Sequence, residues 1–427
     1  MQQSLIYLLA HPDRLKDEQG AEEHFITMLE VSFAQELADL AIANGVGEVL
    51  FQKLNKYQKS LSPSVLKVMD QLKLHYLESC AKSMMLFTAA EKIGLFFKQA
   101  GIDFLFIKGV PILKIYYLQG LLRRMLDIDI LYNSDQTRQV QEVMSTLDYQ
   151  LKKVDPRQQR LANARGLQFM KTDHRRNIIT PIDMHWELLE PQFSAFACLH
   201  QSSNKFLTID NEELFRERTT FYINKEKFET LSPVNTFLFL CWDITLRMRF
   251  WKLSNFTDMV MVLDQIDDDE VFWDELIDKA HRYRTRKTVF VALKLFANFM
   301  FYKIPDRIYK KLNVSAFSNR GFQKLIGVQE QRCFERYFRH KVAVRYTVRL
   351  GLIDRTCHQI QALTIDIFRI IFPASAPLLF RFGNGPGQGY VALLFRYYRY
   401  IISYAVKALF GKPISWIKIH FKSGFWH

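Results

Sequence analysis

RRMLDIDILYN, residues 123–133, sets two aspartates one residue apart inside an otherwise largely apolar run. In a strand, residues i and i+2 face the same side. Asp127 and Asp129 therefore share a face and Ile128 and Ile130 point into the core, while Leu126 and Leu131 also read as strand core. Two neighbouring carboxylates each raise the pKa of the other, so the pair is costly to bury. The stretch IDMHW, residues 182–186, repeats the pattern with Asp183 and His185. If the two strands are neighbours, three carboxylates converge. The usual remedy is a hard divalent ion with oxygen ligands, typically Mg²⁺, which also brings in a substrate phosphate. Taken alone, the first pair reads more readily as the solvent face of an amphipathic strand.

The residues around this run place it in an α/β unit. IDFLFIKG (102–109) is a short apolar strand ending in Lys108-Gly109, and Pro111 suits the first turn of a helix, PILKIYYLQ (111–119). At such a turn a glycine permits close backbone approach, and a helix N-terminus favours an anion. Arg123 and Arg124 stand just before the Asp-x-Asp strand, as a phosphate clamp requires. Beyond it, Ser134 is placed to cap a helix, DQTRQVQEVMSTLDY (135–149), with an apolar face of Val140, Val143, Met144 and Leu147. GLQFMKTD (166–173) and NIITPIDMHWELL (177–189) are strand-like runs joined by the basic turn His174-Arg175-Arg176. Trp186 faces away from Asp183 and reads as core. TTFYINKEKFETL (219–231) is a hairpin turning near Asn224-Lys225.

Helical periodicity flanks this unit on both sides. Residues 22–44 form one helix stopping at Asn44-Gly45, Glu48 to Tyr57 a second, and Ser62-Pro63 opens a third that runs to about Gln99 with a break. Helices return in 232–248, 253–265 and 271–300. The expected fold is α+β, a small mixed-sheet core in a mainly helical frame. Its parts are an N-terminal helical region (1–100), the α/β core (101–230), a helical domain (231–325) and a basic, aromatic C-terminal helical region (326–427).

The composition, 49% hydrophobic and 24% charged over 427 residues, is that of a folded protein. Cys80, Cys198, Cys241, Cys333 and Cys357 are scattered and never in CxxC spacing, which argues against a disulfide framework or a zinc cluster and fits a reducing cytosol. The opening MQQSLIYLLAHPDRLKDEQ lacks a basic n-region and does not read as a signal peptide. Charge is unevenly placed: from Phe301 on, 21 Lys/Arg face 5 Asp/Glu, against 37 and 39 before it. The basic third suggests an anionic partner. As a helix, YVALLFRYYRYIISYAVKALF (390–410) carries Arg396, Arg399, Ser403 and Lys407 in one polar stripe. Two central arginines argue against a membrane span. Residues 388–427 then either bury against the protein or lie on a membrane surface. A single-stranded nucleic acid is the less favoured third reading.

Other motifs contribute little. The sequence contains no GxxxxGK[ST], HExxH or GxSxG. His11, His24, His75 and His281 lack metal-ligand spacing and read as structural. The glycine-rich FGNGPGQG (382–389) reads as a loop. Lys252 and Asp258 lie near the acidic cluster if the helices close over it, and otherwise on a solvated helix face.

Taken in order, LFIKGVPILKIYY (105–117), Arg-x-Met-x-Asp-Ile-Asp-Ile-Leu (123–131) and IDMHW resemble the uncharacterised nucleotidyltransferase family of the polymerase-beta-like superfamily. Lys108, Gly109, Tyr116 or Tyr117, Arg123, Met125, Asp127, Asp129, Asp183, His185 and Trp186 match that pattern. The resemblance extends over about residues 20 to 300, through the N-terminal helices and the stretch LRMRFWKLSNFTDMVMVL. It implies two Mg²⁺ ions held by Asp127 and Asp129 on the triphosphate of an NTP. Asp183 would complete one ion and help deprotonate an acceptor, a hydroxyl or phosphate of unidentified origin. Lys108, Gly109 and Arg123 would serve the phosphates, and His185 would be a supporting donor, a nucleobase contact or a structural histidine. Two departures stand out. Lys-Gly replaces the Gly-Ser or Gly-Gly of the wider superfamily, and Leu126 replaces a glycine common in the family. They support a second reading, a catalytically inactive binding or scaffold protein. The expected location is cytoplasmic, at the inner face of a membrane if 388–427 contacts lipid.

Overall fold

A computed structural model describes residues 34–117, 123–152, 166–173, 178–188, 207–246, 253–266, 269–300 and 302–314, with isolated positions between 352 and 399. The chain divides into two units. The first comprises Met1–Lys152, Arg165–Pro191 and Ser202–Ala362 and holds every element described below. The second comprises Lys153–Ala164, Gln192–Gln201 and Leu363–His427. The helix expected for 22–33, the turn at 174–176, the glycine-rich loop, the basic region from 326 and nearly all of 388–427 lie outside the described residues, as do His11, His24 and Lys252.

Helices α1 (Ala34–Ala43) and α2 (Gly47–Lys56) are separated by Asn44-Gly45, where Gly45 takes a left-handed φ of 69°. Helix α3 runs unbroken from Pro63 to Gln99, 37 residues, so the expected break is absent. Pro63 occupies the first turn, where a missing N–H costs nothing. The only interior glycine, Gly94, has a packing role: a Cβ there would lie 2.3 Å from Phe228 Cε1. The helix thus lies closer to the sheet than any side chain would allow, and Gly101 (φ 69°) reverses the chain after it.

The strands are β1 (Phe104–Ile107), β2 (Ile128–Tyr132), β3 (Gln150–Leu151), β4 (Gly166–Asp173), β5 (Ile178–His185), β6 (Thr219–Ile223) and β7 (Glu226–Thr230). They form one mixed sheet in the order β3-β4-β5-β2-β1-β7-β6. β1 and β2 are antiparallel, and β2 and β5 are parallel. The hairpin β6–β7, turning at Asn224 (φ 55°), docks beside β1 through Phe106 and Thr230. A cluster of Phe104, Phe106, Phe221 and Phe228 fills one side of this junction with edge-on rings. Pro181 sits in β5 opposite Met170 of β4, just before pairing with β2 begins at Ile182.

Helix α4 spans Gly109–Ile115, starting two residues before Pro111 and ending before the expected Gln119. After β2, Ser134–Gln136 forms a 3₁₀ turn without a Ser134 side-chain cap. Its carbonyl instead accepts from Thr137 Oγ1 at 2.5 Å, and α5 (Thr137–Thr146) follows, burying Val140 and Met144. Beyond α6 (Asn211–Arg216) and the hairpin come α7 (Pro233–Thr245), α8 (Leu253–Asp264), α9 (Glu270–Arg282), α10 (Arg286–Met300) and α11 (Asp306–Leu312). Ser232 caps α7 and Asp269 caps α9 through side-chain oxygens. Residues 234–245 of α7 are all buried. The architecture is α+β, a mixed sheet in a helical frame, and among the described residues no helix is long and apolar enough to cross a membrane.

Candidate active site

The site is built by the sheet order. Because β2 and β5 are parallel neighbours, Asp129 lies directly opposite Asp183, and Leu131 opposite His185. All of β2 is buried, so Asp129 is a core carboxylate, 7% exposed, rather than part of a solvated strand face. His185 Nε2 lies 3.1 Å from Asp129 Oδ1, and an imidazole protonated at Nε2 would donate to that carboxylate. Asp129, Asp183 and His185 each offer a ligand atom within 4.8 Å of the others. Gln168 on β4 donates from Nε2 to Asp183 Oδ1 at 2.9 Å and so fixes that carboxylate.

Asp127 stands one residue before β2 and lines the same cleft. Its carboxyl is pushed up to about 6, first by burial and then by the charges of Asp129 and Asp183, while Lys108 and Arg123 pull the other way. Leu126, expected in the strand core, is 45% exposed at the cleft wall instead. The strand begins only at Ile128, so the alternation that would bury Leu126 does not reach it.

The cleft, about 290 Å³, carries Lys108, Gly109, Arg123 and Arg124 beside Asp127, Asp129, Asp183 and His185. Lys108 follows β1 with φ 61° and ψ −126°, a strained conformation for a residue with a side chain, costing about 1–3 kcal/mol. Gly109 is needed for close approach: a Cβ there would meet Met125 Cγ and Sδ at 3.2 Å, with Arg123 Nη1 at 3.9 Å. Helix α4 is only seven residues long, so its dipole adds little to these side-chain charges.

Helices α7 and α8 supply a part of the site that the motifs do not contain. Lys108 Nζ lies 3.2 Å from Asp243 Oδ1, and Arg123 Nε lies 2.8 Å from Asp258 Oδ1. Asp258 also accepts from the Tyr117 hydroxyl at 2.8 Å. Asp258 is therefore a fully buried ion-pair partner, and the solvated-face alternative for it is overturned. Burial pushes its carboxyl up, and Arg123 and Tyr117 draw it back. Burial opposes the charge of Arg123 most strongly, but Asp258, Tyr117, Asp127 and Asp243 together outweigh it and hold the guanidinium above its ordinary value. Ser254 and Asn255, at the start of α8, and Asn44-Gly45 form the remaining cleft wall.

The other expected residues fall in place. Trp186 is half-buried, its ring edge-on to Tyr132 with centroids 6.1 Å apart. His75 lies 3.2 Å from Glu48, and His281 lies 3.1 Å from the Lys311 carbonyl, both away from the cleft. Asp243 was absent from the motif-based expectations, although its signal was available: a carboxylate inside FLFLCWDIT, an otherwise apolar helix, needs a buried partner.

None of the curated proteins compared with the chain matches it. A family comparison matches residues 33–301, more than half of the chain, to a family described as uncharacterised nucleotidyltransferase. The matched segment contains the whole sheet, the cleft and the helices that hold its cations, and the chain accordingly belongs to the uncharacterised nucleotidyltransferase family.

Proposed function

We propose that the chain transfers a nucleoside monophosphate from an NTP to an acceptor hydroxyl or phosphate, with Mg²⁺ in the cleft. The observation that carries this reading is the placement of Asp129 opposite Asp183 on adjacent parallel strands, with Asp127, Lys108 and Arg123 lining the same cleft. Three carboxylates make an oxygen donor set suited to Mg²⁺ or Mn²⁺. The carboxyl of Asp127 is raised first by burial and then by the charges of Asp129 and Asp183, which a bound cation would offset. Asp127, Asp129 and Asp183 would hold the metal, as two ions in the full reading. When bound, the metal would neutralise triphosphate oxygens and make the phosphorus easier to attack.

The chain's own groups do the rest. Asp183 takes the acceptor's proton. The acceptor oxygen bonds to the α-phosphorus, the bond from that phosphorus to the β-bridging oxygen breaks, and pyrophosphate leaves. Lys108 and Arg123 balance charge on the phosphates. His185 donates to Asp129 and fixes its orientation. Leu126, exposed at the cleft wall, favours a second reading, an inactive member of the fold that binds nucleotide without turnover.

The test is incubation of purified protein with each labelled NTP, Mg²⁺ and a cell extract. Label should pass to one molecular species, and Asp127→Asn plus Asp129→Asn should abolish transfer. NTP binding without transfer would support the inactive reading. No cation-dependent NTP binding would refute both. The same proposal reads the protein as cytoplasmic, peripheral to the inner face of a membrane only if residues 388–427 contact lipid. Liposome flotation with and without those residues tests that placement.

A further inference from the structure

Lys108 and Arg123 occupy an unusual position. Both act on Asp127, four residues after Arg123 in sequence and the first residue of the acidic pair. A lysine and an arginine so placed would ordinarily close ion pairs with the acidic cluster, since opposite charges within about 4 Å gain several kcal/mol where water is sparse. Such pairs would occupy the oxygens that a metal needs. The structure shows different partners. Lys108 Nζ pairs with Asp243 on α7 at 3.2 Å, and Arg123 Nε with Asp258 on α8 at 2.8 Å. These carboxylates are 2% and 0% exposed. Burying an unpaired carboxylate costs several kcal/mol, so each partner is held firmly in return. A second donor fixes Asp258, the Tyr117 hydroxyl at 2.8 Å on the same oxygen that Arg123 approaches. On the other side, the Asn255 amide donates to Asp243 Oδ2 at 3.4 Å.

We propose that Asp243 and Asp258 are positioning residues, which hold Lys108 and Arg123 off the Asp127, Asp129 and Asp183 carboxylates. The acidic cluster thereby stays available to a divalent cation, and the two side chains remain aimed into the cleft for phosphate. The helical frame thus acts in the site without touching the reacting atoms. This inference rests on the metal-dependent reading above.

The test uses the full chain and Mn²⁺ alone as the probe, with affinity measured by titration calorimetry and folding checked by thermal melting. In Asp258→Asn, Arg123 loses its partner and competes for Asp127. Mn²⁺ affinity should fall about 10–100-fold, the range typical for lost outer-shell support. Removing the competitor as well, in Asp258→Asn with Arg123→Gln, should restore most of it. A merely structural role for Asp258 predicts no such rescue. Asp243→Asn with and without Lys108→Met gives the same comparison on the other helix if Asp258→Asn does not fold. Unchanged Mn²⁺ affinity in the folded single variants, or a double variant binding no better than its single parent, overturns the proposal. If the wild-type chain binds no Mn²⁺, the nucleotidyltransferase reading fails first and takes this inference with it.

Discussion

Asp127→Asn should make the metal-free protein more stable, although it removes a group at the heart of the proposed site. The carboxyl of Asp127 is pushed up to about 6 in the folded chain, against an ordinary value of 3.8, chiefly by burial and then by Asp129 and Asp183. At about 1.4 kcal/mol per tenfold change in proton affinity, that difference corresponds to a destabilisation of about 3 kcal/mol when the group is ionised. The sign follows from proton counting. Between pH 3.8 and about 6 the folded chain binds more protons at this site than the unfolded chain. Stability therefore falls as pH rises through that window, and the full penalty applies above it. The neutral amide of asparagine never incurs it.

The assay is thermal melting in chelator at a series of pH values. Near pH 7.5, Asp127→Asn should melt higher than wild type by about 3–4 °C, dividing about 3 kcal/mol by an unfolding entropy of about 2.1 cal/mol/K per residue over 427 residues. Below about pH 4 the two should converge, because Asp127 is then protonated in both the folded and the unfolded chain. Saturating Mg²⁺ should raise the wild type, by about 2.7 kcal/mol at a hundredfold excess over its dissociation constant, and raise the variant far less. A variant no more stable than wild type near pH 7.5, or an advantage undiminished at pH 4, would refute the reasoning.

Three further outcomes follow from particular contacts. Gly109→Ala brings a Cβ to 3.2 Å from Met125 and close to Arg123, so label transfer should fall about 100-fold, as expected for small misplacements, while circular dichroism stays unchanged. Gln168→Leu removes the amide that donates to Asp183 at 2.9 Å, and calorimetric Mn²⁺ affinity should drop about 10–100-fold with little change in melting temperature. Gly94→Ala places a Cβ 2.3 Å from Phe228, so overpacking should cost about 1–3 kcal/mol in denaturant unfolding despite alanine's better helix propensity, with activity per folded molecule unchanged.

Much of the sheet and its acidic residues was legible because strand periodicity is local. The two-residue spacing of Asp183/His185 needs only a strand to put the pair in line, and Asp127 joins Asp129 in the cleft from one residue before β2. The element bounds were harder where local signals compete. Ser134 looks like an N-cap, yet its hydroxyl caps nothing and a 3₁₀ turn precedes the helix. Leu126 looks like core, yet the strand starts two residues later. Strand β3, only Gln150–Leu151, is too short to leave a periodic signal. The docking of β6–β7 beside β1 depends on packing among Phe106, Phe221 and Phe228, which no spacing encodes. Asp243 and Asp258 were hardest to assign, since their partners lie more than a hundred residues away in the chain.

The distribution of charge explains why these distant carboxylates matter to an anionic substrate. Asp127, Asp129, Asp183, Asp243 and Asp258 stand against Lys108, Arg123 and Arg124, so the described groups around the cleft are acidic on balance. A triphosphate, itself several times negative, would be repelled from such a place. If Asp243 and Asp258 were neutral, the cleft would become less acidic, but its cations would be free to quench the metal ligands. A more basic cleft would accept bare phosphate and lose its need for an ion. The observed arrangement avoids both outcomes. On the proposed reading it would separate the cations that meet phosphate from the carboxylates that meet metal, and would make nucleotide entry conditional on a divalent cation. That dependence would follow from where four ion-pair partners sit, on two helices, at the end of β1 and in the segment that leads into β2.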